Sequence, residues 1–387
     1  MVRPAPSEQR ARRRIRALLI GAGAALVVWG ASAAGWLEAA ELWSWDARAR
    51  LFARPAPAAV PIRLVVVDDR SLRWVEEELG FSRPWPRHLH ARLVRFCRRA
   101  GARALIFDDL GFTEERGDAP RDQLLASSLR AAAPSTVALA VQTGDDFAGW
   151  PESAPPVPFR LAGLEDWRAW AGGDPFSRRG VLLPVAPLAA AAPILGHVDG
   201  VVDGGPVVRF IEPLRVVAGR PLPFLALAAA AAVAGDVDLR LGAGWLELAG
   251  RRLPLDRRGR AVLRYRAPLA EHGGHLYPAL AAAYLLAAAY HPDGEAGRAA
   301  AAEIRDRYVI FGIGASGLGD DVFTPTAGLT RGLEIHATAL DNLLGGDFMR
   351  PAGSGSTAAL SLALALAAAV TAIDLRRLRA MLAAAVC

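Results

Sequence analysis

Residues 307–350 read RYVIFGIGASGLGDDVFTPTAGLTRGLEIHATALDNLLGGDFMR, and this stretch decides the fold. Its apolar opening, 307–313, reads as a buried strand. A glycine-rich loop with two acids follows, then a Thr324-Pro325 break, then a helix that opens at GLEIHA. Leu333, Ala337, Leu340 and Leu344 recur at helical spacing and define the buried stripe of that helix, with His336 flanking it. An apolar segment of membrane length lies just beyond. The stretch is therefore expected to couple whatever precedes it to a membrane helix.

That second apolar segment is 354–373, and DLRRLR follows it at once. A first one, 17–37, carries no charge over about twenty residues, the length that crosses a ~30 Å hydrocarbon core. Of the net charge of +6, the first sixteen residues supply +5 and the tail after Ile373 supplies +2, which leaves −1 for everything between. Both basic ends favour the cytoplasm, so the middle is exported. A cleaved signal peptide competes at the first segment, where ASAAG mimics a cleavage site. The length of the apolar run favours an uncleaved anchor. The expected division is a basic cytoplasmic N-terminus (1–16), a transmembrane helix (17–37), an extracytoplasmic domain (38–353), a second transmembrane helix (354–373) and a cytoplasmic tail (374–387). That tail ends in MLAAAVC, which reads as the start of another membrane helix, so an effector domain is expected to be missing from these residues.

The basic residues are all arginine, and the excess positive charge lies at the two ends, which argues against a basic nucleic-acid surface on the folded part. Two cysteines, Cys97 and Cys387, allow no disulfide framework and no zinc spacing. Cys97 reads as a small core residue. The apolar runs 222–234 and 279–290 are too short to span a membrane and read as buried helices.

Between the two segments, 45–53 reads as a linker. Residues 62–67 are an apolar strand ending in Asp68 and Asp69, and 104–107 are another ending in Asp108 and Asp109. The helix 86–100 between them places Leu89, Leu93, Phe96, Cys97 and Ala100 on one face and five arginines off it. Asp118 and Pro120 start a further helix, and 136–141 form a third strand. Residues 144–205 read as an elaborated loop region. Residues 207–217 and 245–265 read as antiparallel strands, with a hairpin turn near Gly250. The fold class is α/β: a mixed, mostly parallel sheet with flanking helices and an antiparallel extension, between transmembrane helices.

Three acidic pairs, Asp68-Asp69, Asp108-Asp109 and Asp320-Asp321, follow three strands. In an open parallel sheet ligands bind outside the carboxyl ends of the strands, so parallel neighbours would bring these acids to one rim. Such a rim suits a hard cation, an amine or a sugar. The plainer reading is that Asp is favoured in loops that leave strands, or that these acids pair structurally with Arg48 or Arg87. Gly312 to Gly317 spell the dinucleotide fingerprint, but acids and a proline follow where a helix must open, so that reading is rejected and the glycines are assigned to a tight turn with positive φ. Glu334 and His336 form no metalloprotease spacing, and no Walker loop or Ser-His-Asp arrangement is present.

At these residues the chain resembles the type-two CHASE domain, a sensory module associated with cyclases and histidine kinases. The matching pieces are WDARAR with Asp46, VVVDDRSL, RPWPR, GARALIFDDLGFTE, GHVDGVVDGGPVVR, and YVIFGIGASGLGDDVFTPTAG followed by GLEIHA. They occur in family order over roughly residues 36–350. The resemblance implies an extracytoplasmic α/β sensor, usually followed by further membrane helices and an effector. It carries Asp68, Trp85, Pro86, Arg87, Asp108, Asp321, Thr324, Pro325, Glu334 and His336 over as motif positions.

The expectation is a membrane-anchored sensor, not itself an enzyme. Its ligand residues are Asp68, Asp69, Arg87, Asp108, Asp109, Asp320, Asp321, Thr324 and His336. Its structural motif residues are Asp46, Trp85, Pro86, Gly312, Gly314, Pro325 and Glu334. The expected partners are the lipid bilayer, a small extracytoplasmic ligand, and a second copy or a partner effector met through the membrane helices. No cofactor, metal or nucleic acid is expected. Two rivals stand beside it: an extracytoplasmic metal-dependent hydrolase, and a structural anchor that binds partners through the Trp-rich segment 145–176.

Overall fold

A computed structural model describes residues 6–57, 59–114, 117–132, 134–142, 150–151, 156–191, 194–201, 206–315, 317, 321–350, 355–369 and 371. They fall into two compact units, one within residues 1–46 and 351–387 and the other within 47–350.

In the first unit, helix α1 runs over Pro6–Ala33, and its window Ile15–Ala33 is apolar and long enough to cross a bilayer. It stops short of the expected residue 37. Gly35 takes a left-handed conformation (φ 78°) and the chain turns over residues 34–37. Ala17, Gly21 and Ala25 make its buried face, while Leu19, Ile20, Leu26 and Val27 point outward. A Cβ at Gly21 would lie 3.0 Å from the Ala365 carbonyl oxygen and 3.1 Å from Ala369 Cβ. Small residues on both sides thus let the two apolar helices approach closely. Among the described residues, the second apolar helix covers only Gly355–Ala369, about 22 Å at 1.5 Å per residue, shorter than a full crossing. Residues 354, 370, 372 and 373 of the expected second span lie outside the described ones. The expected linker 45–53 is largely helical instead, within α2 (Glu38–Phe52), where Asp46 is buried.

The second unit is built on a seven-stranded sheet. Its strands are β1 (Ile62–Val67), β2 (Ala104–Asp108), β3 (Ser135–Gln142), β4 (Gly180–Leu182), β5 (Ile194–His197), β6 (Ala279–Ala281) and β7 (Tyr308–Ile313). The order is β6-β1-β7-β2-β3, with β4 and β5 both beyond β3. Every pairing is parallel except β3 with β4. Continuous apolar runs are what a sheet covered on both faces requires. Leu64, Val66, Ile106, Ala138 and Ile310 face α6 (Leu225–Ala234) and α9 (Gly332–Gly345), with helices numbered in chain order. Val65, Leu105, Phe107, Val137, Val309 and Phe311 face the other way. There they meet α3 (Asp69–Leu79), α4 (Arg87–Ala100), α5 (Ala119–Ala131), α7 (Ala282–Tyr290) and α8 (Glu295–Ile304).

Three local expectations change. Residues 279–290 are not one helix: 279–281 form the edge strand β6 beside β1, and α7 begins only at Ala282. The region 144–205 is not only loop, because it supplies β4 and β5 to the main sheet. Its tryptophans do not form an exposed patch among the described residues. Trp167 is buried against Trp170 and Phe176, and Trp150 lies under Arg220. This removes the surface on which the structural-anchor reading rested. The antiparallel extension is present as a satellite sheet, whose hairpin Trp245–Leu248 with Arg251–Pro254 turns at Ala249 and Gly250, both with positive φ.

Candidate functional site

The strands β1, β7 and β2 are parallel neighbours, so Asp68, the loop after Ile313 and Asp108 share the carboxyl rim of the sheet. At that rim the acids separate by task. Asp68 is the N-cap of α3, its Oδ1 accepting from the Ser71 N–H at 2.7 Å. Asp69 sits exposed in the first turn of α3, where a carboxylate complements the helix dipole. Asp109 caps a short 3-10 turn, Leu110–Thr113, accepting from the Gly111 N–H at 2.8 Å, and lies 3.8 Å from His90. Asp320 lies outside the described residues. Asp321 opens the hairpin of β8 (Asp321–Thr324) and β9 (Gly328–Arg331), ion-paired with Arg331 across the ladder. Thr324 and Pro325 make the turn of that hairpin, Thr324 Oγ1 accepting from the Ala327 N–H at 3.3 Å.

Arg87 points into the core instead of the rim. It is 1% exposed. Its Nε donates to Asp122 Oδ1 at 3.2 Å, and Nη2 donates to the carbonyls of Gly111 (2.9 Å) and Glu114 (3.2 Å). The guanidinium also lies 4.9 Å from the Phe112 ring centroid. Pro86 is the N-cap of α4 and Trp85 is buried beside it, so RPWPR fastens α4 to the turn that follows β2 and to α5.

Gly312 and Gly314 serve close approach, not a turn of positive φ. A Cβ on Gly312 would lie 2.9 Å from Leu333 Cβ, and one on Gly314 would lie 2.3 Å from Val66 Cγ1. Among the described residues of this loop, Gly317 is the left-handed one. These approaches seat the start of α9 directly on the end of β7.

His336 does not flank the buried face of α9. It is in it, 3% exposed. Its ring stacks on Phe224, the N-cap residue of α6, with centroids 4.3 Å apart and planes 21° apart. His197, at the end of β5, meets the same Phe224 edge-on at 5.5 Å and is 0% exposed. His336 Nε2 lies 3.6 Å from Asp108 Oδ2, and His197 Nδ1 lies 3.5 Å from Asp199 Oδ2, both beyond hydrogen-bond range. Both nitrogens of His197 and Nδ1 of His336 are buried without a hydrogen bond. Burial, with a smaller push from the neighbouring His197, takes the pKa of His336 down to about 3, so the ring is neutral in the folded protein. Two buried imidazoles on one phenyl ring, each a step from a carboxylate, are the most unusual chemistry in the domain.

The opposite side of α9 is held by satisfied polar contacts. Glu334 Oε1 meets His275 Nδ1 at 2.7 Å, and Oε2 accepts from the Leu276 N–H at 2.9 Å. Asp341 accepts from Arg266 Nε at 2.5 Å and from the Tyr277 hydroxyl at 3.1 Å. Asn342 brackets the Arg264 backbone, accepting its N–H at 2.7 Å and donating to its carbonyl at 3.1 Å.

The structure therefore brings His336 and Asp108 together, and leaves Asp68, Asp109, Asp321 and Arg87 with separate structural partners. Sequence reasoning missed His197, Asp199 and Phe224. The first two sit in GHVDG, one of the pieces quoted above for the resemblance, and Phe224 carried no signal beyond an apolar run. Among the described residues no group of three His, Cys, Asp or Glu side chains is placed to hold a metal ion, so the metal-dependent hydrolase reading gains no support from the geometry. A family model described as the CHASE2 domain matches residues 23–373. No curated protein and no solved structure matches the chain.

Proposed function

The chain belongs to the CHASE2 domain family of extracytoplasmic sensory domains, and from that premise we propose that it is a membrane-anchored receptor module whose α9 carries a signal from the sheet rim toward the second apolar helix. The anchor is α1, apolar and membrane-length. The domain 47–350 then lies in the periplasm or outside the cell, with both basic ends in the cytoplasm. The output belongs to a partner, or to an effector domain of the cyclase or kinase type outside these residues.

The observation that carries the reading is the position of α9. Its first turns rest on the rim, through Leu333 against Gly312 and His336 beside Asp108. Nine residues separate its end at Gly345 from the start of the second apolar helix at Gly355. A ligand moves such an element only by binding one of its two arrangements better than the other. A small molecule at the rim, contacting Asp69 or Asp108, would act in this way.

The test uses the small-residue seam between the two apolar helices. With Gly21→Cys and Ala365→Cys in a chain whose natural cysteines are replaced, the rate of disulfide formation in membranes reports that seam. Loosening α9 with Glu334→Gln should change the rate several-fold. An unchanged rate would show that α9 does not transmit. Reporter fusions at Gly144 and Arg379 check sidedness, and a shielded Gly144 with an exposed Arg379 would refute the export of the domain.

A further inference from the structure

Resting on the receptor reading above, we propose that the signal read at this rim is the proton: acidification outside the membrane charges His336, parts it from Phe224, and frees the first turns of α9. Neutral imidazole has one N–H and one lone pair, and a buried polar group without a partner costs free energy. Three of the four ring nitrogens here have none, and the fourth, His336 Nε2, has only the long approach to Asp108. A core that needed only shape would hold phenyl or aliphatic side chains there. What imidazole adds is a change of charge between pH 5 and 8.

The surroundings decide which way the His336 ring moves when charged. In the packed state a charged His336 would be buried with no hydrogen bond at Nδ1, and it would carry its charge near the positive N-terminal end of α9. Both arrangements are unfavourable. Each ring has a carboxylate 3.5–3.6 Å away, on opposite partners: Asp108 at the end of β2 for His336, and Asp199 just past β5 for His197. For His336 a shift of under 1 Å turns the approach to Asp108 into a charge-assisted hydrogen bond and opens the stack. The other charged groups nearby are already engaged. On α9 itself, Glu334 faces His275 and Asp341 faces Arg266. On β9, Arg331 pairs with Asp321. Helix α6 offers no titratable group. Near His197, Asp199 also accepts the Val141 N–H at 3.1 Å and feels Arg178, which is itself paired with Glu212 at 2.9 Å. Among the described residues, Asp108 is the carboxylate nearest to the His336 ring.

The direction follows from linkage. A histidine whose packed pKa is depressed favours the packed state fully above its ordinary value of 6.5, and that preference is lost as pH falls from 6.5 toward about 3. Between pH 7.5 and 5.0 the packed-to-open ratio at His336 alone should fall roughly thirty-fold.

Hydrogen exchange of residues 332–345 in the full chain, reconstituted in lipid nanodiscs and corrected for intrinsic rates, reads this ratio. Wild type should show a rise of roughly thirty-fold in exchange over residues 332–337 at pH 5.0, while Cys97, on the other face of the sheet, stays protected from alkylation. His336→Phe keeps a ring on Phe224 and cannot be protonated, so its response should flatten. His336→Gln serves the same purpose should the phenyl variant fold poorly, with Cys97 protection as the check. An acid response equal in wild type and variants overturns the proposal. So does a flat wild type, or Cys97 becoming reactive at the same pH as α9. If acid leaves the Gly21–Ala365 seam unmoved while Glu334→Gln shifts it, the receptor reading stands and the proton is not its signal. If neither moves the seam, the receptor reading itself fails.

Discussion

Replacing Arg87 separates a ligand residue from a fastening one. In Arg87→Met the side chain keeps its apolar stem and loses all its donors. Asp122, 8% exposed, is left as a buried carboxylate without its guanidinium, and the Gly111 and Glu114 carbonyls each lose a donor. Breaking a buried pair from one side costs about 3–5 kcal/mol. The loss at the two carbonyls belongs largely to the same disruption and is not added in full. With a urea slope of about 3 kcal/mol per molar, the midpoint should drop by roughly 1–1.7 M. Arg87→Lys keeps a charge but not the fork, and should sit between the two. Adding Asp122→Asn to Arg87→Met removes the stranded charge and should recover part of the loss, so the two changes are strongly non-additive. Cys97 gives the assay: it lies buried in α4, and pulsed alkylation quantified by mass spectrometry reports its opening as urea rises. A midpoint within 0.3 M of wild type, marking ~1 kcal/mol at the slope above, would refute the structural role of Arg87 and return it to the rim as a ligand residue.

Other outcomes follow from single contacts. Gly196→Ala would place a Cβ 2.5 Å from Leu225 Cα, which forces α6 away from β5 and should cost about 1–3 kcal/mol in the same urea assay. Burial pushes the Cys97 thiol up to about 12, so native protein should resist iodoacetamide for hours at pH 8 and react only on opening; rapid native labelling would refute its burial. Gly21→Cys should cross-link with Ala365→Cys far faster than Val27→Cys does, because Val27 points away from the seam; equal yields would refute the packing. Glu334→Gln keeps an acceptor but loses its charge toward His275 and the Leu276 N–H, and should destabilise by about 1–3 kcal/mol with faster exchange in residues 262–277.

The parallel layer was legible because its strands are short apolar runs ending in acids, and each run returned as a strand of the main sheet. What periodicity could not reveal was the strand hidden at 279–281. ALA carries no alternation, and only the neighbouring β1 makes it a strand. The same limit hid β5, whose ILGH lies in a glycine-rich and proline-rich region and pairs with a strand more than fifty residues earlier. The acids at the strand ends were read in the right places, but their tasks were not legible. Whether Asp68 caps a helix or meets a ligand depends on the φ/ψ of its own residue, which no pattern encodes. His336 was misjudged for a related reason. A helical stripe marks one apolar face, whereas α9 is covered on two sides, so a residue beside the stripe is buried as well.

The two sides of α9 are held by different kinds of interaction, and that difference sets which one can yield. Toward residues 262–277 every polar group named has a partner, with charged acceptors on Glu334 and Asp341. Removing any of them strands another buried group, so this side resists small perturbations. Toward the sheet, contact is made by ring stacking on Phe224 and by Leu333 over Gly312, and His336 Nδ1 is buried without a hydrogen bond. Here a gain of charge or a new hydrogen bond lowers the free energy of leaving. Motion of α9 should therefore be a pivot about its clamped side, opening at the His336 end, and not a loss of the whole helix. The experiment that separates these is exchange resolved by residue: a pivot raises rates at 332–337 and spares Asn342, whereas detachment raises both together.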